Sequence, residues 1–362
     1  MNMSIQKTAA VLAAAIAGGY GFLRYYPAFG GNQSADDRAA YRGRAENFAG
    51  KQFQYPAAWV TDSGAKDIRL SHKATVPCAK LPVAVPDFDM HTEGAAVTWF
   101  GHSGVLLAVC GMQILIDPIF SPRCFPMQWI GPKRFTQPTV SPEDLPQIDL
   151  LLLTHDHHDH LDPQTIRALD SRVRQYAVPL GAEKHLLRWG IAAEKIRCLS
   201  WWETAELDGI SVIATPTRHF SGRRFIDQNR TLWCGYMLHT DCGQIYVSGD
   251  GGFGGHFAEI RKHCGKTDLA LMECGQYNSR WHWGHLFPEE SVQAAEILGA
   301  DTAIPVHWGA FVLSDHGWDD PPERFVRAAQ KTGIRVMTPH LCETVDTAHP
   351  EKAAERWWRS YV

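Results

Sequence analysis

Residues 148–162 read IDLLLLTHDHHDHLD, an apolar run followed at once by a cluster of histidines and aspartates. The apolar part, Ile148–Thr154, has the length of a β-strand, and near-continuous apolar runs are typical of strands buried on both faces. The polar part has the spacing H-x-H-x-D-H, formed by His155, His157, Asp159 and His160. We therefore predict a buried strand whose end leads into a loop that carries the functional side chains.

The side chains in this loop are of metal-ligand type. Imidazole and carboxylate groups without a thiolate favour a catalytic zinc site over a structural one. The alternative is a solvated, histidine-rich surface loop, but four such residues within six positions, directly after four leucines, argue against it. His158 falls outside the spacing, so we leave it out of the ligand set.

Three more ligand-type residues follow other predicted strands. They are His219 in TPTRHF, Asp250 in VSGDGG and His307 in PVHWG. Glycines beside Asp250 permit a close approach of the backbone. One motif cannot complete the shells of two metal ions, so these residues are the expected additional ligands.

From residue 96 onward, short apolar runs alternate with helical patterns. Strands are predicted over 96–100, 105–110, 113–117, 148–154, 175–178, 210–215, 236–240, 244–248, 268–273, 302–306 and 334–337. Helices are predicted over 164–169, 182–189, 288–298 and 322–331. Strands lead into helices in both halves, after an antiparallel meander, so we predict an α/β (α+β) protein with two mixed sheets packed face to face and helices outside.

The N-terminus contains the apolar stretch TAAVLAAAIAGGYGFL over residues 8–23, preceded by Lys7. We interpret residues 1–24 as a secretory signal or a membrane anchor, with a helix packed on the domain as a third alternative. The expected location is a bacterial-type inner membrane or periplasm, and a domain on the cytoplasmic face of the membrane is the alternative. Residues 25–94 are predicted to form an extended arm, 95–345 the catalytic domain and 346–362 a C-terminal tail.

Charge and cysteine content exclude other classes of protein. The formal net charge is −4, which gives no overall basic field for nucleic acid, so we expect no nucleic-acid partner. The nine cysteines are scattered and contain no C-x-x-C pair, which argues against a disulfide framework. Free and mostly buried thiols are the expectation.

The order H-x-H-x-D-H, His, Asp, His resembles the metallo-β-lactamase superfamily, over about residues 95–337. Longer stretches are similar to its N-acylphosphatidylethanolamine-hydrolysing phospholipase D branch: VTWFGHSGVLL, LIDPIFSPR, IGPKRF, LTHDHHDHLD, TPTRHFSGR, GHLFPEESV and PVHWGAF. The resemblance implies a four-layer αββα sandwich. The arm and the tail match poorly.

The resemblance also implies a ligand set for two Zn²⁺ ions, although manganese or iron suits the same residues. One ion would be held by His155, His157 and His219, and the other by Asp159, His160 and His307, with Asp250 between them. Asp117, at the end of the predicted strand 113–117, is expected to orient a ligand histidine rather than to bind metal. His102 in FGHSG is expected to line the site or support a ligand.

By the same resemblance, Asp250 and His285 are the candidate catalytic residues. A hydroxide bridging the two ions would attack phosphorus in an N-acyl phosphatidylethanolamine-like lipid, and His285 would protonate the leaving group. His285 could instead only cap the following helix, and Glu273 receives no role. A lactonase, another phosphodiesterase or a nuclease is the alternative function. The expected partners are a phospholipid or small phosphodiester and a membrane, and the chain could form a homodimer.

Overall fold

Two mixed β-sheets of seven strands each form the centre of the computed structural model, which describes residues 17–61, 63–64 and 74–362. The strands are β1 (Phe48–Ala49), β2 (Gln52–Phe53), β3 (Ala95–Trp99), β4 (Val105–Val109), β5 (Met112–Ile116), β6 (Ile148–Leu152), β7 (Val173–Pro179), β8 (Ile196–Leu199), β9 (Thr204–Leu207), β10 (Ile210–Thr215), β11 (Gly235–Thr240), β12 (Gly243–Val247), β13 (Leu269–Glu273), β14 (Thr302–Val306), β15 (Arg335–Val336) and β16 (Thr344–Asp346). The α-helices are α1 (Ala35–Arg44), α2 (Pro163–Leu169), α3 (Glu183–Arg188), α4 (His256–Cys264), α5 (Pro288–Leu298) and α6 (Asp320–Ala329), and residues 17–25 are also helical.

The two sheets have related topologies. The first has the order β16-β3-β4-β5-β6-β7-β8, antiparallel up to β5 and parallel from β5 to β8. The second has the order β15-β14-β13-β12-β11-β10-β9, parallel from β15 to β12 and antiparallel from there to β9. The predicted fold class, two mixed sheets flanked by helices, is confirmed.

The strand β6 is buried on both faces, as its apolar run predicts. Leu150 and Leu152 belong to the large core that contains residues of both sheets. Leu151 and Leu153 point the other way, into the core shared with Ile166 of α2. Side chains alternate across a strand, so a run of leucines supplies apolar surface to both cores at once.

The strand and helix ends agree with the sequence analysis to within two residues for the eleven strands and four helices predicted there. The structure adds α4 and the short strands β8, β9 and β16 to this part of the chain. Helix α2 begins as expected, because Asp162 accepts hydrogen bonds from the backbone N–H groups of Gln164 and Thr165. Helix α5 ends at Gly299, which adopts a left-handed conformation.

The terminal segments are described only in part. Most of the predicted signal or anchor, residues 1–16, lies outside the described residues, and the domain limits at 24/25, 94/95 and 345/346 stay predictions. Among the helices that the structure describes, none combines the length and apolar character needed to cross a membrane. In the C-terminal tail, Trp357 and Trp358 are buried against the main core.

A disulfide joins the two sheets, which differs from the expected set of free thiols. Cys110 lies in the turn between β4 and β5, and Cys242 in the turn between β11 and β12. The other seven cysteines are free, and five of them are buried. Strands β5 and β12 run from these turns towards Asp117 and Asp250, so the disulfide closes the sandwich at the end opposite the predicted metal site.

We predict that the Cys110–Cys242 bond stabilises the fold. It links residues 132 positions apart, so its removal should lower the free energy of unfolding by about 2–4 kcal/mol. Denaturant titration of Cys110→Ser against wild type would measure this, with the exposed free-thiol variant Cys78→Ser as the control. Equal stability of all three proteins, or nine titratable thiols in the unreduced denatured chain, would contradict the prediction.

Candidate metal centre

The loop after β6 is fixed between the two sheets by Thr154. Its backbone N–H donates to Asp117 Oδ1 at 2.8 Å, and its carbonyl accepts from Cys234 N at 2.9 Å, just before β11. A tight turn follows, because the backbone N–H groups of His160 and Leu161 both donate to the carbonyl of His157. These bonds direct the side chains of the H-x-H-x-D-H motif into the space between the strand ends.

Three histidines form a first group. His155 Nε2 lies 2.9 Å from His157 Nδ1, and His219 Nε2 lies 3.2 Å from the same nitrogen. The ligand atoms of all three lie within 4.8 Å of one another. The structure thus brings together the three residues predicted to share one ion.

Asp159, His160 and His307 form a second group. Asp159 Oδ2 lies 3.6 Å from His160 Nε2 and 3.4 Å from His307 Nε2. His307 directly follows β14 in the second sheet, whereas the other two come from the loop of the first. This group therefore bridges the sandwich.

Asp250 lies between the two groups. Its Oδ2 is 3.1 Å from His160 Nε2 and 3.2 Å from His307 Nε2. The same oxygen is 3.9 Å from the Nε2 atoms of both His155 and His219. With a side chain only 2% exposed, Asp250 is the carboxylate that both groups can share.

The electrostatics of the cluster keep His155 neutral and Asp250 ionised. By contrast, burial alone would lower the pKa of His160, but Asp250 and Asp159 hold it well above its usual range. Burial and the neighbouring His160 hold the pKa of His155 well below its usual range. Burial alone would raise the pKa of Asp250, but His160 and His307 outweigh it and hold that pKa well below its usual range. A neutral imidazole and an ionised carboxylate are the forms that coordinate a cation.

Two buried atoms test whether the cluster suits a cation. Among the described residues, the buried Asp250 Oδ1 has no hydrogen-bond partner, and the buried His160 Nε2 faces Asp250 Oδ2 at 3.1 Å without the geometry of a hydrogen bond. Leaving such atoms unsatisfied costs about 1–3 kcal/mol each. The donor set of imidazoles and carboxylates fits zinc, manganese or iron.

The outward-facing nitrogens of several cluster histidines are held by other groups. His160 Nδ1 donates to Asp117 Oδ2 at 2.7 Å, and His219 Nδ1 donates to the carbonyl of Gly284 at 2.8 Å. Each bond leaves Nε2 directed into the cluster. Asp117 thus lies behind His160, where a carboxylate orients a ligand.

His102 and His158 occupy different positions. His102 Nε2 lies 2.9 Å from Asp159 Oδ2, and its ring centroid lies 4.2 Å from that of His307 with the planes tilted by 46°, so it belongs spatially to the second group. His158 points away and donates to the carbonyl of Arg223 at 3.1 Å.

Glu273, which has no role in the sequence analysis, contacts His285 at the edge of the cluster. His285 Nδ1 lies 2.9 Å from Glu273 Oε2 and 3.9 Å from Asp250 Oδ2. Burial raises the pKa of Glu273. Burial alone would lower the pKa of His285, but Glu273 and Asp250 raise it to about 9. The feature that could have identified Glu273 as a site residue is its position at the end of β13, between two parallel strands that lead to Asp250 and His307.

Aromatic side chains surround the cluster. The ring of Phe220 lies 4.5 Å from His157 and 5.3 Å from Trp283, which is 45% exposed. The stretch 120–135 combines basic and aromatic residues, and only part of it lies at the surface. Trp129 is 76% exposed, but Arg134 is buried and donates to the carbonyls of Phe100 and Ile119. Arg134 therefore supports the loop from inside.

The sequence model of the beta-lactamase superfamily domain matches residues 112–308, which contain every cluster residue except His102. The chain belongs to the metallo-β-lactamase superfamily. It is a metal-dependent hydrolase of that superfamily, and its candidate metal-binding cluster lies at the strand ends described above.

Individual relatives of this superfamily member cover most of its length. An uncharacterized protein of Mycobacterium tuberculosis is 38% identical over 80% of this chain and 78% of its own. The mitochondrial N-acyl-phosphatidylethanolamine-hydrolyzing phospholipase D of Saccharomyces cerevisiae is 33% identical over 73% of this chain and 58% of its own. Among solved structures, the metallo hydrolase Igni18 of Ignicoccus hospitalis has a TM-score of 0.54 at 20% identity, over 69% of this chain and 97% of its own.

We predict that Asp117 contributes to metal affinity through His160. Replacing it in Asp117→Asn removes the charge that polarises the imidazole and should weaken metal binding about 10–100-fold. Competition with a chromophoric chelator would measure the affinity. The control is Asp208→Asn, which removes an exposed carboxylate paired with Arg174. Wild-type affinity in Asp117→Asn would refute this role.

Proposed function

We propose that this protein is a phosphodiesterase of phospholipase D type, which uses two zinc ions to cleave N-acyl phosphatidylethanolamine-like lipids. The observation that carries the proposal is the position of Asp250, whose one oxygen lies 3.1–3.9 Å from histidines of both groups. A shared carboxylate between two sets of ligands suits a pair of ions rather than one.

In this proposal, each group holds one ion. His155, His157 and His219 would hold the first, and Asp159, His160 and His307 the second, with Asp250 as the carboxylate within reach of both groups. When bound, two such ions supply a nucleophile from water at neutral pH and neutralise the charge that grows on the phosphate oxygens. Asp117 and His102 orient His160 and Asp159 from outside. Manganese or iron would fit the same ligands.

His285 acts on the leaving group. Cleavage between phosphorus and the alcohol oxygen leaves a negative charge on that oxygen, and an alkoxide departs slowly unless it is protonated. His285 stands beside both groups, with its ring 5.1 Å from that of His219 and 5.3 Å from that of His307. It donates the proton that releases the N-acylated alcohol and leaves a phosphatidic-acid-like monoester.

A lipid substrate is supported by the surface around the cluster. Eight of the thirteen exposed large apolar side chains of the described residues lie in four segments: Tyr20, Phe22, Tyr25, Trp129, Ile130, Phe225, Ile226 and Trp283. Of these, Trp283 packs on Phe220 beside His157. Direct contacts join three of these segments, since Tyr26 donates to the carbonyl of Pro126 and Arg224 to that of Leu23. Apolar patches of this kind suit insertion at a lipid–water interface.

The same surface supports membrane association. Exposed basic residues, Arg24, Lys133, Arg188 and Arg230, lie on or beside these segments and would attract anionic headgroups. The described end of the apolar stretch, residues 17–23, joins this surface, because Arg224 donates to the carbonyl of Leu23. The Cys110–Cys242 bond favours an oxidising compartment such as the periplasm.

The expected activity is turnover of both a small diester and the lipid. The metal-loaded full chain should hydrolyse bis(p-nitrophenyl) phosphate and micellar N-acyl phosphatidylethanolamine. His157→Ala and Asp250→Ala should lose about 100-fold or more of each rate, because each variant removes a predicted ligand. His349→Ala, which removes an exposed histidine, is the matched control.

The two substrates separate the candidate functions. Turnover of the small diester alone would support a metal-dependent phosphodiesterase and refute the lipid as its substrate. Turnover of neither substrate, with two equivalents of metal bound, would refute the phosphodiesterase and favour a lactonase.

We also predict that Trp129 enters the lipid interface. Vesicles that contain brominated phosphatidylcholine and phosphatidylglycerol should quench the tryptophan fluorescence of the wild type, and clearly less that of Trp129→Phe. Trp202→Phe should be quenched like the wild type, because the ring of Trp202 is stacked on His263 and partly buried. Equal quenching of Trp129→Phe and wild type would contradict the predicted orientation.

A further inference from the structure

The carboxylate of Glu273 joins two loops that approach the cluster. Its Oε1 accepts hydrogen bonds from the backbone N–H of Gly251 at 2.6 Å and of Leu286 at 3.4 Å. Its Oε2 lies 2.9 Å from His285 Nδ1. Because Gly251 follows Asp250 and Leu286 follows His285, this one side chain sets the spacing between Asp250 and His285.

Glu273 stands behind the cluster histidines rather than among them. His307 Nδ1 lies 3.6 Å from Glu273 Oε2, whereas its Nε2 faces Asp159 and Asp250. Both oxygens of Glu273 are already occupied by N–H donors. These contacts argue against a third metal ligand at this position, although its ligand atom lies within 4.8 Å of those of Asp250, His285 and His307.

The ring of His285 is held in one orientation. It lies parallel to the ring of His307, with centroids 5.3 Å apart and 9° between the planes, and edge-on to His219 at 5.1 Å. Nδ1 is directed at Glu273, so Nε2 lies on the opposite edge of the ring. Nε2 makes no hydrogen bond to any residue in the described part of the chain, and the side chain is 13% exposed.

We propose that Glu273 is a positioning residue, which keeps the proton on Nδ1 of His285 and aims Nε2 at the leaving-group oxygen. A carboxylate that accepts from one imidazole nitrogen fixes the tautomer and the ring orientation, and leaves the other nitrogen for proton transfer. This inference rests on the proposed phosphodiesterase function and assigns the partner of its leaving-group acid.

In this step the leaving alcohol takes its proton from His285, and water takes the place of the alcohol on phosphorus. The P–O bond to the alcohol breaks with its electron pair on oxygen, and the proton on His285 Nε2 moves to that oxygen. His285 is then neutral and keeps only its Nδ1 proton, which is hydrogen-bonded to Glu273. Water adds its oxygen to phosphorus, and a proton from that water restores His285.

The test compares substrates that differ in leaving group. Glu273→Gln preserves size but replaces one acceptor oxygen by an amide. With bis(p-nitrophenyl) phosphate, whose leaving group departs without protonation, kcat should fall less than about tenfold. With N-acyl phosphatidylethanolamine, whose leaving group is an alkoxide, kcat should fall about 100-fold or more, with KM and metal content near those of the wild type.

A double-variant cycle links the two residues. His285→Gln should show the same dependence on the leaving group. Adding Glu273→Gln to it should cost little more, because both changes remove one function. Glu290→Gln is the matched control: it breaks another pair of a buried glutamate with a histidine, in which Glu290 Oε2 lies 2.7 Å from His282 Nε2, and should leave the ratio of the two rates unchanged.

Nitrogen-15 NMR of labelled histidine in the zinc-loaded protein tests the tautomer independently of activity. The wild type should carry the His285 proton on Nδ1 in the neutral form, and Glu273→Gln should lose this preference. Equal loss on both substrates together with loss of metal, or an unchanged tautomer in Glu273→Gln, would overturn the proposal. A wild type inactive on both substrates would refute the phosphodiesterase, whereas the NMR result would still decide whether Glu273 fixes the tautomer.

Discussion

The carboxylate of Asp250 is almost fully buried among imidazoles that come from both sheets, and the fold must place groups around it that stabilise its charge. A charged group in such a place is stable only if positive charge or hydrogen-bond donors surround it closely. The two sheets provide these groups because parallel strands of each end at the same edge, where His155 and His160 lie beside Asp250 and His307. The stacked cores below fix the distance between these edges, so the geometry of the cluster depends on the packing of the sandwich.

Much of the fold and of the candidate cluster is predictable from the sequence, because the signals are local. The leucines before His155 mark a strand buried on both faces, and the ligand-type residues directly follow strands. Helix α4 is not predicted because the residue before it, Gly255, has no side chain that could cap it. Strand β16 has three residues, and its pairing with β3, more than 240 positions away, gives no local signal.

The features that sequence reasoning misses depend on contacts between distant segments. Glu273 looks like the end of one more buried strand until the loop that carries His285 folds over it. Cys110 and Cys242 look like isolated thiols until the stacking of the two sheets brings their turns together, with Cα atoms 6.1 Å apart. Arg134 lies in a basic, aromatic stretch of sequence, but the loop folds so that its guanidinium is internal. In each case the sequence shows the type of residue, but not the distant residue that it contacts in the fold.

We propose that two metal ions share Asp250. Anomalous diffraction at the zinc edge from crystals of the zinc-loaded protein would locate them. We expect two peaks, one among His155, His157 and His219 and the other among Asp159, His160 and His307, with the Asp250 carboxylate in contact with both. A single peak, or two peaks of which only one contacts Asp250, would contradict the proposal.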